Sequence, residues 1–295
     1  MENSNRIQMV FVKWGTKYGP EYVNGLVQAT LAHTSVPVDF ICFTDKAADI
    51  DPRVDVRPFP DFGVPVETMT GRGGSLLKMS MFLKGQLAEG VPTLYIDLDS
   101  SIMGDVARLV DCLKQRRGMY MLTRHAIPHW RFRGLVRRLM PSRYYLANTA
   151  VMAFFVEDWF GITDRFMVDF PKYLADPTSL SPETRRIYDE GNERLISHAT
   201  QDVSRVFPAD VAVKFTQEYM SHSLAIAELK NRLPGVRARR KRQVVISYQG
   251  EALKPQQLVS AEQGDLILYK RYKTRWAYPE LTRYWRNVLG RQPRP

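Results

Sequence analysis

At 295 residues the chain is long enough to bury a full core, and with no low-complexity linker it reads as one compact body rather than two independent ones. No apolar stretch approaches the roughly 18 residues of a membrane span, and the polar start Met1-Glu2-Asn3-Ser4-Asn5 lacks a signal peptide's hydrophobic segment, so a cytoplasmic protein is expected. Two cysteines, Cys42 and Cys112, are too few for a disulfide framework, while a net charge of +11 and a pI near 9.6 favour anionic partners such as nucleotide, acidic glycan, membrane surface or nucleic acid.

In chain order, Ile7 to Val12 predicts a first strand, and Pro20-Glu21 opens a helix whose Val23, Leu26, Val27, Thr30 and Leu31 recur at helical spacing. Strands follow at Val38 to Phe43 and Val54 to Val56, then a helix at Leu76 to Leu87, a strand at Thr93 to Ile96 and a helix at Val106 to Leu113. This alternation predicts an α/β sandwich with a mainly parallel central sheet, whose ligands gather at the carboxyl ends of the strands. Beyond it, Thr149 to Val156 predicts a strand and Trp159 to Leu174 a helix. Asp176 to Gly191 reads as loop, and Val244 to Tyr248 as the last clear strand. Internal repeats, heptads and zinc-type Cys/His spacings are absent, which removes several DNA-binding classes.

The chemistry concentrates at Leu94-Tyr95-Ile96-Asp97-Leu98-Asp99. Side chains alternate across a strand, so Asp97 and Asp99 are expected on one face with Leu98 turned to the core. Two convergent carboxylates suit Mg²⁺ or Mn²⁺, which take oxygen ligands and complete their shell with substrate phosphates. The bland alternative is that both residues merely end a strand, since Asp is common where strands turn into loops.

These elements resemble, in order and over about residues 7 to 258, a bacterial group of nucleotide-sugar glycosyltransferases of the GT-A fold, distantly similar to the glycogenin-like family 8 enzymes. Val12-Lys13-Trp14-Gly15-Thr16-Lys17-Tyr18 with Glu21-Tyr22-Val23-Asn24 looks like that group's opening strand and first nucleotide loop. Cys42-Phe43-Thr44-Asp45, Lys78 in Leu77-Lys78-Met79, Asp97-Leu98-Asp99 with Gly104-Asp105, Asn148-Thr149-Ala150-Val151, Thr200-Gln201-Asp202, and Tyr248-Gln249-Gly250 with Lys254-Pro255 are similar to its later motifs.

The resemblance implies a GT-A domain over residues 1–268, with a nucleotide-binding half at about 1–115 and an acceptor-side half at 116–268, followed by a basic aromatic tail at 269–295. It implies a UDP-sugar donor, a glycan or lipid-linked acceptor, and a retaining hexosyl transfer in surface polysaccharide or lipopolysaccharide synthesis. It assigns Asp97, Asp99 and Gln249 to the metal, and Asp202 with Gln201 to the anomeric centre. Lys13, Trp14, Gly15, Tyr18, Asp45, Lys78, Asn148, Gly250 and Lys254 fall to substrate binding. For Trp14 and Tyr18 the chemistry is a wall for the uracil ring, and for the lysines it is neutralisation of pyrophosphate charge. Each has an ordinary counterpart: a core aromatic, a solvated lysine, a turn aspartate.

Three positions depart from the group's pattern. Thr200 stands where it has Asp, Gln249 where it has a metal-binding histidine, and the third departure is twofold: the spacing from Gly250 to Lys254 is one residue longer than usual, and Gly73-Gly74 stands where aromatics are common.

Positive charge gathers in Arg124 to Arg143, in Arg237 to Arg242 and from Lys270 to Arg294. From Trp130 to Met140 the apolar Phe132, Leu135, Val136, Leu139 and Met140 fall at helical spacing among arginines, a basic amphipathic helix suited either to an anionic membrane surface or to covering the sheet. Arg237 to Arg242 reads as a solvated loop, and the tail mixes aromatics with cations as at membrane interfaces. Two rival functions stand beside the transferase: a sugar-nucleotide-binding protein without transfer activity, motivated by Thr200 and Gln249, and a basic nucleic-acid binder, disfavoured because the acidic pair serves nothing there.

Overall fold

The computed structural model describes residues 6–71, 76–124, 135, 138–139, 144, 146–189 and 191–290. The central strand β1 (Ile7–Lys13) is buried at every position, and α1 (Pro20–His33) lays Tyr22, Val23, Leu26, Val27 and Thr30 against the sheet. Next come β2 (Val38–Thr44), β3 (Val54–Arg57), β4 (Pro92–Ile96), β5 (Ser100–Ile102), α2 (Ala107–Gln115), β6 (Met119–Leu122), β7 (Asn148–Phe155) and α3 (Phe160–Ala175). The chain then runs through α4 (Pro182–Asp189), α5 (Asn192–Ala199), β8 (Ser204–Val206), β9 (Ala212–Lys214), α6 (Leu224–Arg232), α7 (Pro234–Arg240) and β10 (Val245–Ser247). A hairpin of β11 (Leu266–Tyr269) and β12 (Tyr272–Arg275) leads into α8 (Pro279–Leu289).

The main sheet has the order β3-β2-β1-β4-β7-β6-β8. Strands β3, β2, β1 and β4 pair in parallel, β7 runs antiparallel between β4 and β6, and β8 returns parallel to β6. The near-continuous apolar sequence of β1 follows from its central place, with helices or short helical turns on both faces. Its polar residues are Gln8 and, at its end, Lys13; the Gln8 amide donates to Ala88 O and Thr93 Oγ1, both at 2.8 Å, and accepts from Ala88 N. A second sheet, β5-β10-β9, begins one residue after Asp99.

Several expectations need correction. Leu76 to Phe82 forms a 3₁₀ turn rather than a helix reaching Leu87, and the loop expected at 176–191 contains α4. The β11–β12 hairpin and α8 lie within or against the tail, so the tail is no appendage. Its aromatic and cationic residues separate onto two sides, with Trp276 and Trp285 each 1% exposed in the same core as β1, and Lys273 and Arg275 facing solvent. Burying two indoles is worth more than any interfacial contact they would make. Arg237 to Arg240 belongs to α7, where Arg239 and Arg240 both reach the buried carboxylate of Glu218 and the Arg240 guanidinium lies 4.4 Å from the Tyr219 ring centre. The amphipathic segment 130–140 falls outside the described residues except for Leu135, Arg138 and Leu139, which are helical and exposed. No helix among the described residues is long and apolar enough to cross a membrane.

Candidate active site

Strand β4 stops at Ile96, so Asp97 and Asp99 lie in the turn between β4 and β5, held by Asp97 N–H to Ala150 O at 2.7 Å and Ser100 N–H to Asp97 O at 3.0 Å. Strand alternation is therefore not what aligns them. They nevertheless line one cleft of about 400 Å³ at the carboxyl end of β1 and β4.

Each carboxylate has its own lysine and its own tyrosine. Lys78, nearly buried in its 3₁₀ turn, sits 2.8 Å from Asp97 Oδ1 and also donates to Thr149 O at 3.2 Å. Tyr95 donates to the same Asp97 oxygen at 2.6 Å, having left β4 on the same side two residues earlier. Lys254 sits 2.5 Å from Asp99 Oδ2, and Tyr18 donates to that oxygen at 2.9 Å. Burial lifts the Asp97 carboxyl above its ordinary value; Lys78 opposes that shift and Asp99 adds to it. Burial and the Asp99 charge push the Tyr18 hydroxyl far above its usual range, so it remains a donor.

Trp14 and Tyr18 form an aromatic wall of the cleft, with Trp14 38% exposed, enough to offer a free face. Gly15 turns the loop with φ +64° while its N–H lies 3.1 Å from both oxygens of Asp45, so Asp45 fixes the loop and does not itself line the cleft. Lys13 is buried at the end of β1 near Cys42, away from the opening. Asn148, at the start of β7, turns its amide to Glu193. Gly250 has φ +88°, and a Cβ there would sit 1.8 Å from the Tyr269 ring. Gly250 thus lets the chain pass under the hairpin and deliver Lys254.

Gln201 and Asp202 lie in the turn after α5 and do not line the cleft; nor does Gln249. The residue that faces the acidic pair from that region is Asn192, the first residue of α5, whose Oδ1 accepts from Thr149 Oγ1 at 2.9 Å. Neither Asn192 nor Tyr95 is among the site residues expected from the sequence. Tyr95 was discoverable, because it stands two residues before Asp97 in a strand.

Among the described residues no three His, Cys, Asp or Glu side chains converge as a metal cluster. The donors that do converge still suit a hard divalent cation: Asp97 Oδ2 and Asp99 Oδ1 take no hydrogen bond among the described residues, and substrate phosphates supply the remaining oxygens.

No family model and no curated protein matches the chain. Among solved structures, the galactosyltransferase LgtC in complex with donor and acceptor sugar analogs is similar over 98% of this chain and 98% of that one, with a TM-score of 0.55 and 15% identity. A structure of LgtC carrying an active-site mutation gives 0.57 at 14% identity, over 96% and 100%. The bifunctional glycosyltransferase WbbM gives 0.50 at 13%, covering 85% of this chain and 47% of that one. With the sheet order and the acidic turn at the end of β4, these likenesses identify the fold of the chain as that of the GT-A glycosyltransferases.

Proposed function

We propose that the protein is a metal-dependent glycosyltransferase that moves a sugar from a UDP-sugar to a glycan or lipid-linked acceptor. One observation carries this reading: Asp97 and Asp99, from a single turn, line one cleft and are each backed by a separate lysine. Two fixed anions and two fixed cations in one opening suit a diphosphate with its counter-ion better than either partner alone.

Asp97 and Asp99 would hold Mn²⁺ or Mg²⁺, which when bound supplies Lewis-acid neutralisation of the leaving diphosphate. Lys254 and Lys78 add positive charge at fixed positions as that group departs. Tyr18 and Trp14 take the uracil ring on their faces. Asn192, with both a donor and an acceptor, faces the place of the donor sugar. The exposed Leu135 and Leu139, one helical turn apart in an arginine-rich segment, support seating on an anionic membrane where lipid-linked acceptors reside, at the cytoplasmic face.

A binding protein without transfer activity is the second reading, favoured by the cleft itself: among the described residues Asp97 and Asp99 are its only acidic lining residues. The deciding experiment is thermal unfolding with UDP, with and without Mn²⁺, for wild type and Asp99→Asn, followed by release of UDP from UDP-sugars. Ligand at 100 times its dissociation constant adds about 2.7 kcal/mol. A Mn²⁺-dependent shift lost in Asp99→Asn, with turnover, supports the transferase. A shift without turnover supports the binding protein, and no shift in wild type overturns both.

A further inference from the structure

Lys214 is the last residue of β9, only 7% exposed, and no hydrogen bond or ion pair holds its amine among the described residues. A buried cation without a partner is uncommon unless a ligand supplies the counter-charge. Its surroundings point the same way. The ladder sets Lys214 beside Ser247 of β10 and Ser247 beside Ser100 of β5, and paired residues share a face of the sheet. Ser100 and Ser247 are themselves buried, and neither hydroxyl has a hydrogen-bond partner. Lys214 and two unpartnered hydroxyls therefore form one row that starts at the residue after Asp99.

The charged groups that act on Lys214 are Glu193, Arg124 and Lys270. The one carboxylate among them is already engaged, paired with Arg124 at 2.9 Å and accepting from the Asn148 amide. Lys270 is carried at the hairpin turn directly after Tyr269, whose ring lies on Gly250. Both sides lead back to the cleft, since Glu193 follows the cleft residue Asn192 and Gly250 precedes the cleft residue Lys254 by four positions. Positive charge is in excess here, on groups next to the cleft residues in sequence but not themselves lining the cleft.

We propose that Lys214, with Arg124 and Lys270 about it and the Ser100 and Ser247 hydroxyls alongside, binds a carboxylate or phosphate borne by the substrate sugar. The proposal rests on the nucleotide-sugar reading above and narrows it to an acidic sugar substrate. Two sources share this chemistry: a uronic acid on the donor, or an acidic group on the acceptor. Burial and the neighbouring cations bring the Lys214 amine down to about 8, and an anion beside it restores the charged form.

Calorimetric titration in Mn²⁺ tests it in two arms. The donor arm compares UDP-glucuronate with UDP-glucose, and the acceptor arm compares glucuronate and glucose 6-phosphate with glucose on the UDP-loaded protein. Wild type is expected to prefer the anionic probe at least tenfold in one arm, which identifies the source. Lys214→Met should bring that ratio to near one, and the surface change Lys270→Ala should lower it several-fold. Lys241→Ala, which removes the same charge from an exposed position elsewhere, should leave it intact. UDP itself should bind all four proteins alike. No anionic preference in either arm overturns the proposal, as does a preference that survives Lys270→Ala and any folded Lys214→Met. Failure of UDP to bind wild type overturns the nucleotide reading instead, and the monosaccharide comparison still reads the anion site.

Discussion

Lys254 Nζ lies 2.5 Å from Asp99 Oδ2 although the two residues are 155 positions apart, and Tyr18, whose hydroxyl also accepts from Lys254 at 3.0 Å, donates to the same carboxylate oxygen. The contact ties the chain after β10 to the turn after β4, so the pocket is closed by tertiary structure and not by any one motif. Lys78 repeats the arrangement on Asp97. Two carboxylates a residue apart would repel one another strongly in a buried turn, and the paired lysines offset that repulsion.

Lys254→Met tests this relationship. Lys254 and Asp99 side chains are 16% and 11% exposed, so removing the ammonium leaves a largely desolvated carboxylate with Tyr18 as its one remaining hydrogen-bond partner among the described residues. Stability is expected to fall by about 2 kcal/mol, and UDP affinity by about tenfold, equal to about 1.4 kcal/mol. Denaturant midpoints and calorimetry read the two separately. Unchanged UDP affinity would remove Lys254 from the diphosphate site while leaving its structural role.

Gly250 is the hinge that delivers Lys254. Alanine at φ +88°, ψ 157° enters a region essentially restricted to glycine, and its Cβ overlaps the Tyr269 ring. Gly250→Ala should cost about 3 kcal/mol. Adding Tyr269→Ala should restore the part due to overlap and leave the backbone part. Full restoration by the double variant would show that the ring contact alone requires glycine.

The sequence was most legible where local pattern and tertiary role coincide. The apolar run of β1, the Pro20 start of α1 and the acidic turn are all visible, because each is imposed by residues close in sequence. Lys254 and Tyr18 could be named from ordered motifs, but their convergence on one oxygen could not. What escaped depends on distant partners. Asn192 faces the cleft because α5 packs behind β7, and nothing near Gly191 in sequence announces that. Lys214 looks like an ordinary strand-end lysine until its ladder register beside Ser247 and Ser100 is known. The tail misled for a related reason. Its basic residues are exposed, its tryptophans are core, and composition merges the two.

Trp276 makes the role of those last residues testable. Its indole N–H donates to Thr282 Oγ1 at 2.8 Å, and its ring stacks on Phe215 at 5.6 Å between centroids. Trp276→Ala should lower stability by about 4 kcal/mol, in the range of buried aromatic truncations. Loss of lipid binding with stability unchanged would instead favour an interfacial tail.

Lys214 gives a pH signature that is independent of any substrate. Its amine titrates at about 8 in the folded protein against an ordinary 10.5, chiefly because of burial. Below pH 8 the amine is protonated in both states, and folding carries the full cost of burying the cation. Between pH 8 and 10.5 the unfolded chain holds a proton that the folded chain has released, so this group's contribution to stability rises with pH. Above 10.5 the cost is gone. The span corresponds to about 3 kcal/mol. Urea midpoints of wild type and Lys214→Met across this window isolate it, because titrations common to both proteins cancel in the difference. Wild type should gain on the variant as pH rises. A flat difference would mean that the amine reaches water or a standing counter-ion, and would remove the cost that an anionic sugar group is proposed to relieve.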